Sequence, residues 1–505
     1  MLSICSCVRS ARPATATAAS SSSVRSSSVA AAVIYFALLA AFYVFALHNY
    51  ALPPAPSSRS SPAVGRVSNA SFSAVRAVED LLSVIAAEPH MANSDRNDFV
   101  RRFIAEELGS LKKYGEDRGH SVDLLLDDHV NMFVRPVYWQ SNNVALRINA
   151  NNNSVASPPP ALLVSAHYDS APLAPGATDN GIAVATMLEV IRNLLSLPSA
   201  GLQSSVIFLF NNGEEISLYG ARTFFRHPWF ADVKAFINID SGGAAGEGAR
   251  SAVWRSNSLD MMRGYAESAP YPHGTVAVQD LAALIPSETD ATVYGTWGGL
   301  PGIDLAFYNT RGLYHSQFDD VAHVSPRSVQ QMGDNLLQNV RYFCAQDVAE
   351  LRVQQSTTGF GETDFVYAEV RGLGMFAVSA QAYRFAILAL LIFILSTACA
   401  TVAWSFRTAA NTFKIASMLP FVNACIVVSL SPDATARRRL SPILAQNLGQ
   451  LRQHVRTPSS QLCLDCAYRD SCGAACASPR CPADTARRCC RNRNPVHTHR
   501  RHREP

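Results

Sequence analysis

Two histidines and three carboxylates lie in short polar motifs close to apolar segments of this chain. The five residues are His167, Asp179, Glu215, Asp240 and His315. Imidazole nitrogen and carboxylate oxygen are both ligands that zinc accepts. We predict from these residue types a site that holds two zinc ions in each chain.

Glu214 directly precedes one of these ligands, in the sequence Asn-Asn-Gly-Glu-Glu (211–215). Neighbouring side chains usually diverge, so Glu215 can bind metal while Glu214 faces the substrate. A water molecule bound between two cations is acidified toward neutral pH. We predict that Glu214 takes a proton from this water and later delivers it to the leaving amine, which is the chemistry of peptide hydrolysis.

Asp179 has two carboxylate oxygens and is the natural bridge between two metals about 3.5–4 Å apart. The remaining ligands then divide into two pairs. We expect His167 and Asp240 on one ion, and Glu215 and His315 on the other.

Asp169 lies two residues beyond His167, and residues two apart on an extended strand face the same way. We therefore expect the Asp169 carboxylate to accept the second ring N–H of His167 and to fix its tautomer. Asp319 is expected to do the same for His315.

Alternating strands and helices are predicted around these residues. Such alternation predicts an α/β fold, in which ligands gather at the carboxyl ends of the strands. The predicted strands are Ala161–Ala166, Val206–Phe210, Ala235–Ile239 and Pro301–Phe307, and the predicted helices are roughly Ile182–Leu197 and Tyr219–Phe225.

The motifs Ala-His-Tyr-Asp-Ser (166–170), Pro-Gly-Ala-Thr-Asp-Asn (175–180) and Asn-Ile-Asp-Ser-Gly-Gly (238–243) resemble those of the M28 zinc peptidases. The resemblance covers about residues 75–345 and is greatest to the membrane-anchored, endoplasmic reticulum metallopeptidase 1-like branch, including plant forms. It implies a three-layer α/β/α sandwich with a mostly parallel central sheet, a zinc pair and aminopeptidase-type activity. It also implies a substrate-binding role for Asp290.

Asn212 departs from the family, in which a small residue is more usual at this position. Two alternatives to the peptidase remain open. One is a glutaminyl cyclase-like acyltransferase that works with a single zinc, and the other is a non-catalytic relative that serves as a receptor or scaffold.

Apolar segments predict membrane attachment. Val29–Leu47 is long enough to cross a bilayer and follows Arg9, Arg12 and Arg25. We favour an uncleaved anchor with a cytoplasmic N-terminus over a transit peptide, which places the catalytic domain in the lumen. The acceptor sequences at Asn69 and Asn152 agree with a lumenal glycoprotein.

The chain is accordingly divided into seven regions. These are a cytoplasmic Ser/Ala-rich segment (1–28), the anchor (29–47), a Pro/Ser-rich linker (48–66), the peptidase domain (67–353), a second linker (354–384), one or two transmembrane helices (385–431) and an Arg/Cys-rich tail (432–505). Phe385–Phe406 is the predicted second span, and Ile415–Leu430 is a possible third.

The net charge of +4 is unevenly distributed along the chain, because the C-terminal tail is strongly basic. Residues 433–505 hold 14 arginines against five acidic residues, so the remainder of the chain is slightly acidic. We predict a disordered tail, and an abnormal terminus and a small zinc finger are the alternatives.

No nucleic-acid partner is expected. The expected partners are peptide or protein substrates and the lipid bilayer of the endoplasmic reticulum, and the sequence leaves the oligomeric state open.

Overall fold

The computed structural model describes residues 33–45, 52–53 and 71–406, apart from short gaps at 127, 135–136, 151–157, 198–201, 241–242, 244–247, 286–287, 308–310, 355–359, 361–362 and 371–372. The possible third span, the tail, Asn69 and Asn152 lie outside the described residues.

The strands are short and mostly buried. In chain order they are β1 (Val122–Leu125), β2 (Asn131–Val134), β3 (Val137–Gln140), β4 (Val144–Ile148), β5 (Ala161–His167), β6 (Ser205–Asn211), β7 (Val233–Ile239), β8 (Ser251–Ser256), β9 (Gly302–Phe307), β10 (Phe365–Val370) and β11 (Gly374–Ser379).

Seven of these strands form the central sheet, in the order β1-β4-β6-β5-β7-β9-β8. The four middle strands, β6, β5, β7 and β9, are parallel, whereas β1, β4 and β8 run antiparallel to their neighbours. All seven residues of β5 and of β6 are buried, as expected for parallel strands covered on both faces, which are continuous apolar runs in the sequence. The predicted strands begin and end within two residues of the observed ones.

The helices connect these strands. They are α1 (Val33–Phe45), α2 (the successive segments Ala74–Arg76, Ala77–Leu82 and Ser83–Ile85), α3 (Asp95–Glu116), α4 (Ile182–Ser196), α5 (Glu214–Ser217), α6 (Tyr219–Phe224), α7 (Leu259–Ser268), α8 (Val276–Ala282), α9 (Pro326–Cys344) and α10 (Ala380–Phe406). Short helical turns occur at Ala177–Gly181, Pro228–Asp232, Val293–Trp297, Arg311–Leu313, Val321–His323 and Val348–Glu350.

The helices cover the central sheet on both faces, so the α/β/α prediction is confirmed. Leu162 and Val164 of β5 pack with α2, α3, α4, α7 and α9 in the larger core. Leu163, which lies between them and points to the opposite face, packs in a smaller core with α6 and the turn Val293–Trp297. The second face is therefore covered mainly by short helical segments.

The predicted linker 354–384 is wrong in part, because it contains a β-hairpin. Strands β10 and β11 pair antiparallel, and the alternating residues Phe365 and Tyr367 are fully buried. The amide of Glu369 donates a 3.0 Å hydrogen bond to the carbonyl of Gly274. Alternating apolar residues bury one face of the hairpin against the domain, which a flexible linker would not do.

Two described helices are strongly apolar. Residues Ala380–Ala400 of α10 have a mean hydropathy of 2.0, and this helix is long and apolar enough to cross a membrane. Helix α1 is shorter, and the flanking residues of the predicted anchor 29–47 lie outside the described part of the chain.

Asp334 of α9 gives a testable pH dependence of stability. Burial raises the pKa of its carboxyl from the usual 3.8 to about 6, although the hydrogen bond from Gln330 opposes this shift. The folded chain therefore holds this proton more tightly than the unfolded chain, and the free energy of unfolding falls by about 1–2 kcal/mol as the pH rises from about 4 to about 6. In the Asp334→Asn variant this contribution is absent. Its free energy of unfolding, measured by urea unfolding of the full chain in detergent, should therefore fall less than that of the wild type between about pH 4 and about pH 6.

The exposed carboxylate of Glu350 provides the control for this prediction. Glu350→Gln should keep the wild-type pH dependence. An Asp334→Asn variant with the same pH dependence as the wild type would contradict the assignment.

Candidate metal centre

The predicted ligands lie at the carboxyl ends of the four parallel strands. His167 is the last residue of β5, Asp240 follows the last residue of β7, and Glu215 lies just beyond β6 at the start of α5. His315 lies in the segment after β9, and Asp179 lies in the turn that precedes α4. Parallel strands bring their carboxyl ends to one edge of the sheet, so side chains that are distant in sequence meet there.

The side chains form two groups in which the potential ligand atoms lie within 4.8 Å of one another: His167, Glu214 and Asp240, and Asp179, Glu215 and His315. Oδ1 of Asp179 is 3.3 Å from Nε2 of His167, and Oδ2 is 3.0 Å from Nε2 of His315. The Asp179 carboxylate therefore lies between the two histidines and turns one oxygen toward each.

The chemistry and the contacts of these residues fit a pair of zinc ions. Nε2 of His167 is 3.8 Å from Asp240, and Nε2 of His315 is 3.2 Å from Glu215. Buried polar atoms normally make hydrogen bonds, yet Nε2 of His167, despite the nearby carboxylates, and Oε1 of Glu215 make none. Nitrogen and carboxylate donors in this number are ligands that zinc accepts.

The pKa values indicate a centre that favours cations. Burial lowers the pKa of His315, but Asp179 and Glu215 raise it to about 10. Burial raises the pKa of Glu215 to about 7 and also raises the pKa of Asp240. Several carboxylates crowded in a buried site repel one another, and positive charge at the centre would relieve this repulsion.

The centre is open toward the side of His315. The His315 side chain is 39% exposed, whereas that of His167 is 1% exposed. Tyr314 packs its ring on the His315 imidazole with 3.7 Å between the ring centroids. Burial and the site carboxylates, beginning with Asp179, raise the pKa of Tyr314 above its usual value of 10. Tyr314 was not among the predicted site residues, and its position next to the predicted ligand His315 was the available signal.

Asp169 holds the turn that carries Glu214. Its carboxylate accepts hydrogen bonds from the amides of Gly213, at 2.8 Å, and of Glu214 and Glu215, at 3.3 Å each. The backbone carbonyl of Asp169 lies 3.0 Å from Nδ1 of His167, and the carboxylate is farther away at 3.5 Å.

The predicted role of Asp169 is therefore corrected. The backbone carbonyl of Asp169 lies closer to Nδ1 of His167 than the carboxylate does, so the carbonyl is the group placed to fix the His167 tautomer. The strand ends at His167, so the two-residue alternation on which the prediction relied no longer applies at Asp169. The carboxylate is free to turn toward the amides at the start of α5.

Asp319 also differs from its predicted role. Its carboxylate accepts hydrogen bonds from the amide and hydroxyl of Thr178, at 2.9 and 2.6 Å, and from the amide of Asp179, at 3.2 Å. Asp319 thus fixes the turn that carries the Asp179 carboxylate, and its carboxylate oxygens are engaged there rather than with His315.

The backbone is left-handed at one of the predicted ligands, His315. Among the described residues, the non-glycine residues with positive φ are Asn93, Leu173, Leu218 and His315. Leu173 lies between two predicted ligands in sequence, Leu218 directly follows α5, and His315 is itself a predicted ligand. Strained conformations persist where the surrounding structure holds them and are typical of functional sites.

Asp290 lies in neither group of ligands. Its buried carboxylate accepts a 2.7 Å hydrogen bond from Asn211, the last residue of β6, and burial raises its pKa to about 7. Asn211 also donates to Ser165 of β5 at 3.2 Å. The substrate-binding role of Asp290 stays a prediction.

Gly213 offers a test of the turn before Glu214. Its φ is +82°, and a Cβ atom there would lie 2.7 Å from the ring of Trp139. We expect Gly213→Ala to lower the free energy of unfolding by about 2–4 kcal/mol, because the left-handed backbone costs about 1–2 kcal/mol and the collision with Trp139 adds to it. Urea unfolding of the full chain in detergent measures the loss.

Gly119 is the matched control because its φ is +83° and a Cβ atom would meet no other atom within 4 Å. Gly119→Ala should show only the backbone cost. Equal losses in the two variants would mean that the contact with Trp139 does not constrain the turn.

The segment that carries this centre is similar to a peptidase family. Residues 143–340 match the family model described as peptidase family M28. This segment contains the four parallel strands and all five predicted ligands, so the similarity to family M28 includes the whole candidate centre.

Curated relatives carry the name vacuolar membrane protease. The protein from Debaryomyces hansenii is 32% identical over 275 residues, which are 53% of this chain and 26% of that protein. The protein from Schizosaccharomyces japonicus is 35% identical over 275 residues, 53% of this chain and 31% of that protein. The matched residues thus span between a quarter and a third of these relatives. The relatives are named for the vacuolar membrane and do not single out the predicted endoplasmic reticulum branch.

Solved structures with a similar fold include the glutaminyl cyclase of Porphyromonas gingivalis, with 18% identity, a TM-score of 0.41 and coverage of 54% of this chain and 97% of that chain. An aminopeptidase from Aneurinibacillus sp. strain AM-1 has 11% identity, a TM-score of 0.41 and coverage of 58% and 98%.

Proposed function

We propose that this chain is a membrane-anchored zinc exopeptidase of the aminopeptidase type that hydrolyses peptides. The observation that carries the proposal is the position of Asp179 between His167 and His315, with one carboxylate oxygen toward each imidazole. A carboxylate placed between two potential metal ligands in this way would suit the two-metal sites that catalyse hydrolysis.

Five side chains would hold the zinc pair. His167 and Asp240 would bind one ion, Glu215 and His315 the other, and Asp179 both. When bound, zinc polarises a carbonyl group and makes water acidic enough to give up a proton near neutral pH.

Glu214 is the proposed general base, because its carboxylate lies in the group with His167 and Asp240 and is not needed to complete either ligand pair. It would accept a proton from the attacking water and pass it to the nitrogen of the leaving amine as the peptide bond breaks. Asp169 keeps Glu214 in place through the three amides at the start of α5. Asp290 would contribute to the substrate pocket.

The proposed location is an endomembrane with the catalytic domain on the lumenal side. The apolar helix α10 and the arginines before residue 29 support membrane attachment in this orientation. The name of the curated relatives favours the vacuolar membrane over the endoplasmic reticulum. Fluorescence microscopy of a tagged chain with markers for both membranes tests the compartment.

Metal analysis and substrate assays on the same purified full chain test the activity. We expect two zinc ions per chain, release of the N-terminal residue from a panel of aminoacyl peptides, and no cleavage of the same peptides after N-terminal acetylation. One zinc with cyclisation of N-terminal glutamine would indicate the cyclase alternative. Metal binding without turnover of any peptide would favour the scaffold.

A further inference from the structure

Asn212 is fully buried and directly precedes Gly213 and the Glu214–Glu215 pair. Its side-chain amide is hydrogen-bonded to the side-chain amide of another asparagine, Asn97. Nδ2 of Asn97 donates to Oδ1 of Asn212 at 3.2 Å, and Nδ2 of Asn212 donates to Oδ1 of Asn97 at 3.0 Å. Asn97 is 1% exposed and Asn212 is 0% exposed. This reciprocal pair of amides, shielded from water, sets the orientation of both side chains.

Asn97 is itself held firmly. Asn97 lies in the first turn of α3, where its backbone amide donates a 3.1 Å hydrogen bond to the hydroxyl of the N-cap residue Ser94. Its Nδ2 also donates to the carbonyl of His90 at 3.1 Å. His90 and Ser170 are linked in both directions, because the His90 amide donates to Oγ of Ser170 at 3.0 Å and the Ser170 amide donates to the His90 carbonyl at 3.3 Å.

Asn97 consequently connects two segments of the metal centre. Through His90 it reaches Ser170, which follows Asp169, and through Asn212 it reaches the residue before Gly213. The same turn is held from another side by the Asp169 carboxylate. Gly213 has a left-handed backbone, and glycine can adopt many other conformations. Contacts such as these therefore determine the direction of the residues that follow Gly213.

We propose that the Asn97–Asn212 amide pair positions Glu214 for proton transfer, so that Asn97 is a positioning residue on a helix that supplies no ligand. This inference rests on the proposed peptidase function. Loss of either amide leaves the other buried without its partner, and the segment before Gly213 shifts to satisfy it. Displacement of a base by a fraction of an ångström slows turnover more than it weakens substrate binding.

The test compares Asn97→Ala, Asn212→Ala and the double variant with the wild type in the full-length protein. We expect each single variant to lower kcat about tenfold while KM and zinc content stay near wild type. We expect the double variant to lose no more than either single variant, because both changes remove the same interaction. Asn212→Gly removes the same amide and replaces Asn212→Ala if that variant fails to fold.

Asn335 provides the matched control for a merely structural effect. It is a buried asparagine of α9 that exchanges two 2.9 Å hydrogen bonds with the backbone of Tyr271, and it contacts no ligand. Asn335→Ala should lower the midpoint of thermal unfolding and leave kcat unchanged.

Three results would overturn the positioning role. The first is an unchanged kcat in the single variants. The second is a kcat loss equal to that of Asn335→Ala. The third is a kcat loss in the double variant equal to the product of the losses in the two single variants. A wild-type chain that hydrolyses no peptide would instead overturn the proposed function, and this outcome is visible in the same assay before any variant is compared.

Discussion

Glu214→Gln is expected to lower kcat for peptide hydrolysis by about 10²–10⁴-fold, the usual contribution of a positioned general base. The amide of glutamine has nearly the shape of the carboxylate but cannot accept the proton. Zinc content should stay at the wild-type value, because the five proposed ligands are unchanged. Steady-state kinetics and metal analysis of the same preparation measure both effects.

Glu88→Gln is the control for this substitution, since Glu88 is exposed and belongs to neither group of ligands. It should retain wild-type turnover. Substantial activity in Glu214→Gln would show that another group accepts the proton, and the proposed mechanism would then be wrong.

Asp179→Ala is expected to abolish both activity and tight binding of the zinc pair. Each histidine loses a carboxylate oxygen that lies 3.3 Å or less from its Nε2 atom. A ligand that binds only the folded chain stabilises it by about 2.7 kcal/mol at a hundredfold excess over its dissociation constant. Added zinc should therefore raise the thermal midpoint of the wild type and have little effect on the variant.

Asp117 at the end of α3 is exposed and provides the control. Asp117→Ala should keep the stabilisation by zinc. If Asp179→Ala binds two zinc ions as tightly as the wild type, this carboxylate is not the bridge.

The central sheet could be predicted because its strands carry a local signal. The segment Ala161–Ala166 is a mainly apolar run in the sequence, and the polar residue His167 follows it as the last residue of β5. Since parallel strands place their carboxyl ends together, the end of each run also predicted which polar residues would meet. The positions of His167 and Asp240 follow from this rule, whereas Asp179 and His315 lie in the segments that follow β5 and β9.

Contacts between distant segments had no comparable signal. Asn97 and Asn212 are far apart in sequence, and an isolated asparagine on a helix is usually a surface residue. The orientation of the Asp169 carboxylate depends on where β5 ends, and strand ends are the least certain part of a prediction from sequence. The antiparallel strands β1, β4 and β8 likewise depend on pairing across the sheet, which a local pattern does not specify.

The order of the strands has a consequence for biosynthesis. Strand β9 lies between β7 and β8, although the ribosome makes β8 first. A nascent chain must therefore leave a place beside β7 until β9 emerges, and His315 follows only after that. Binding of the proposed zinc pair would have to wait for this late insertion, because a chain stalled before β9 would contain His167 without His315.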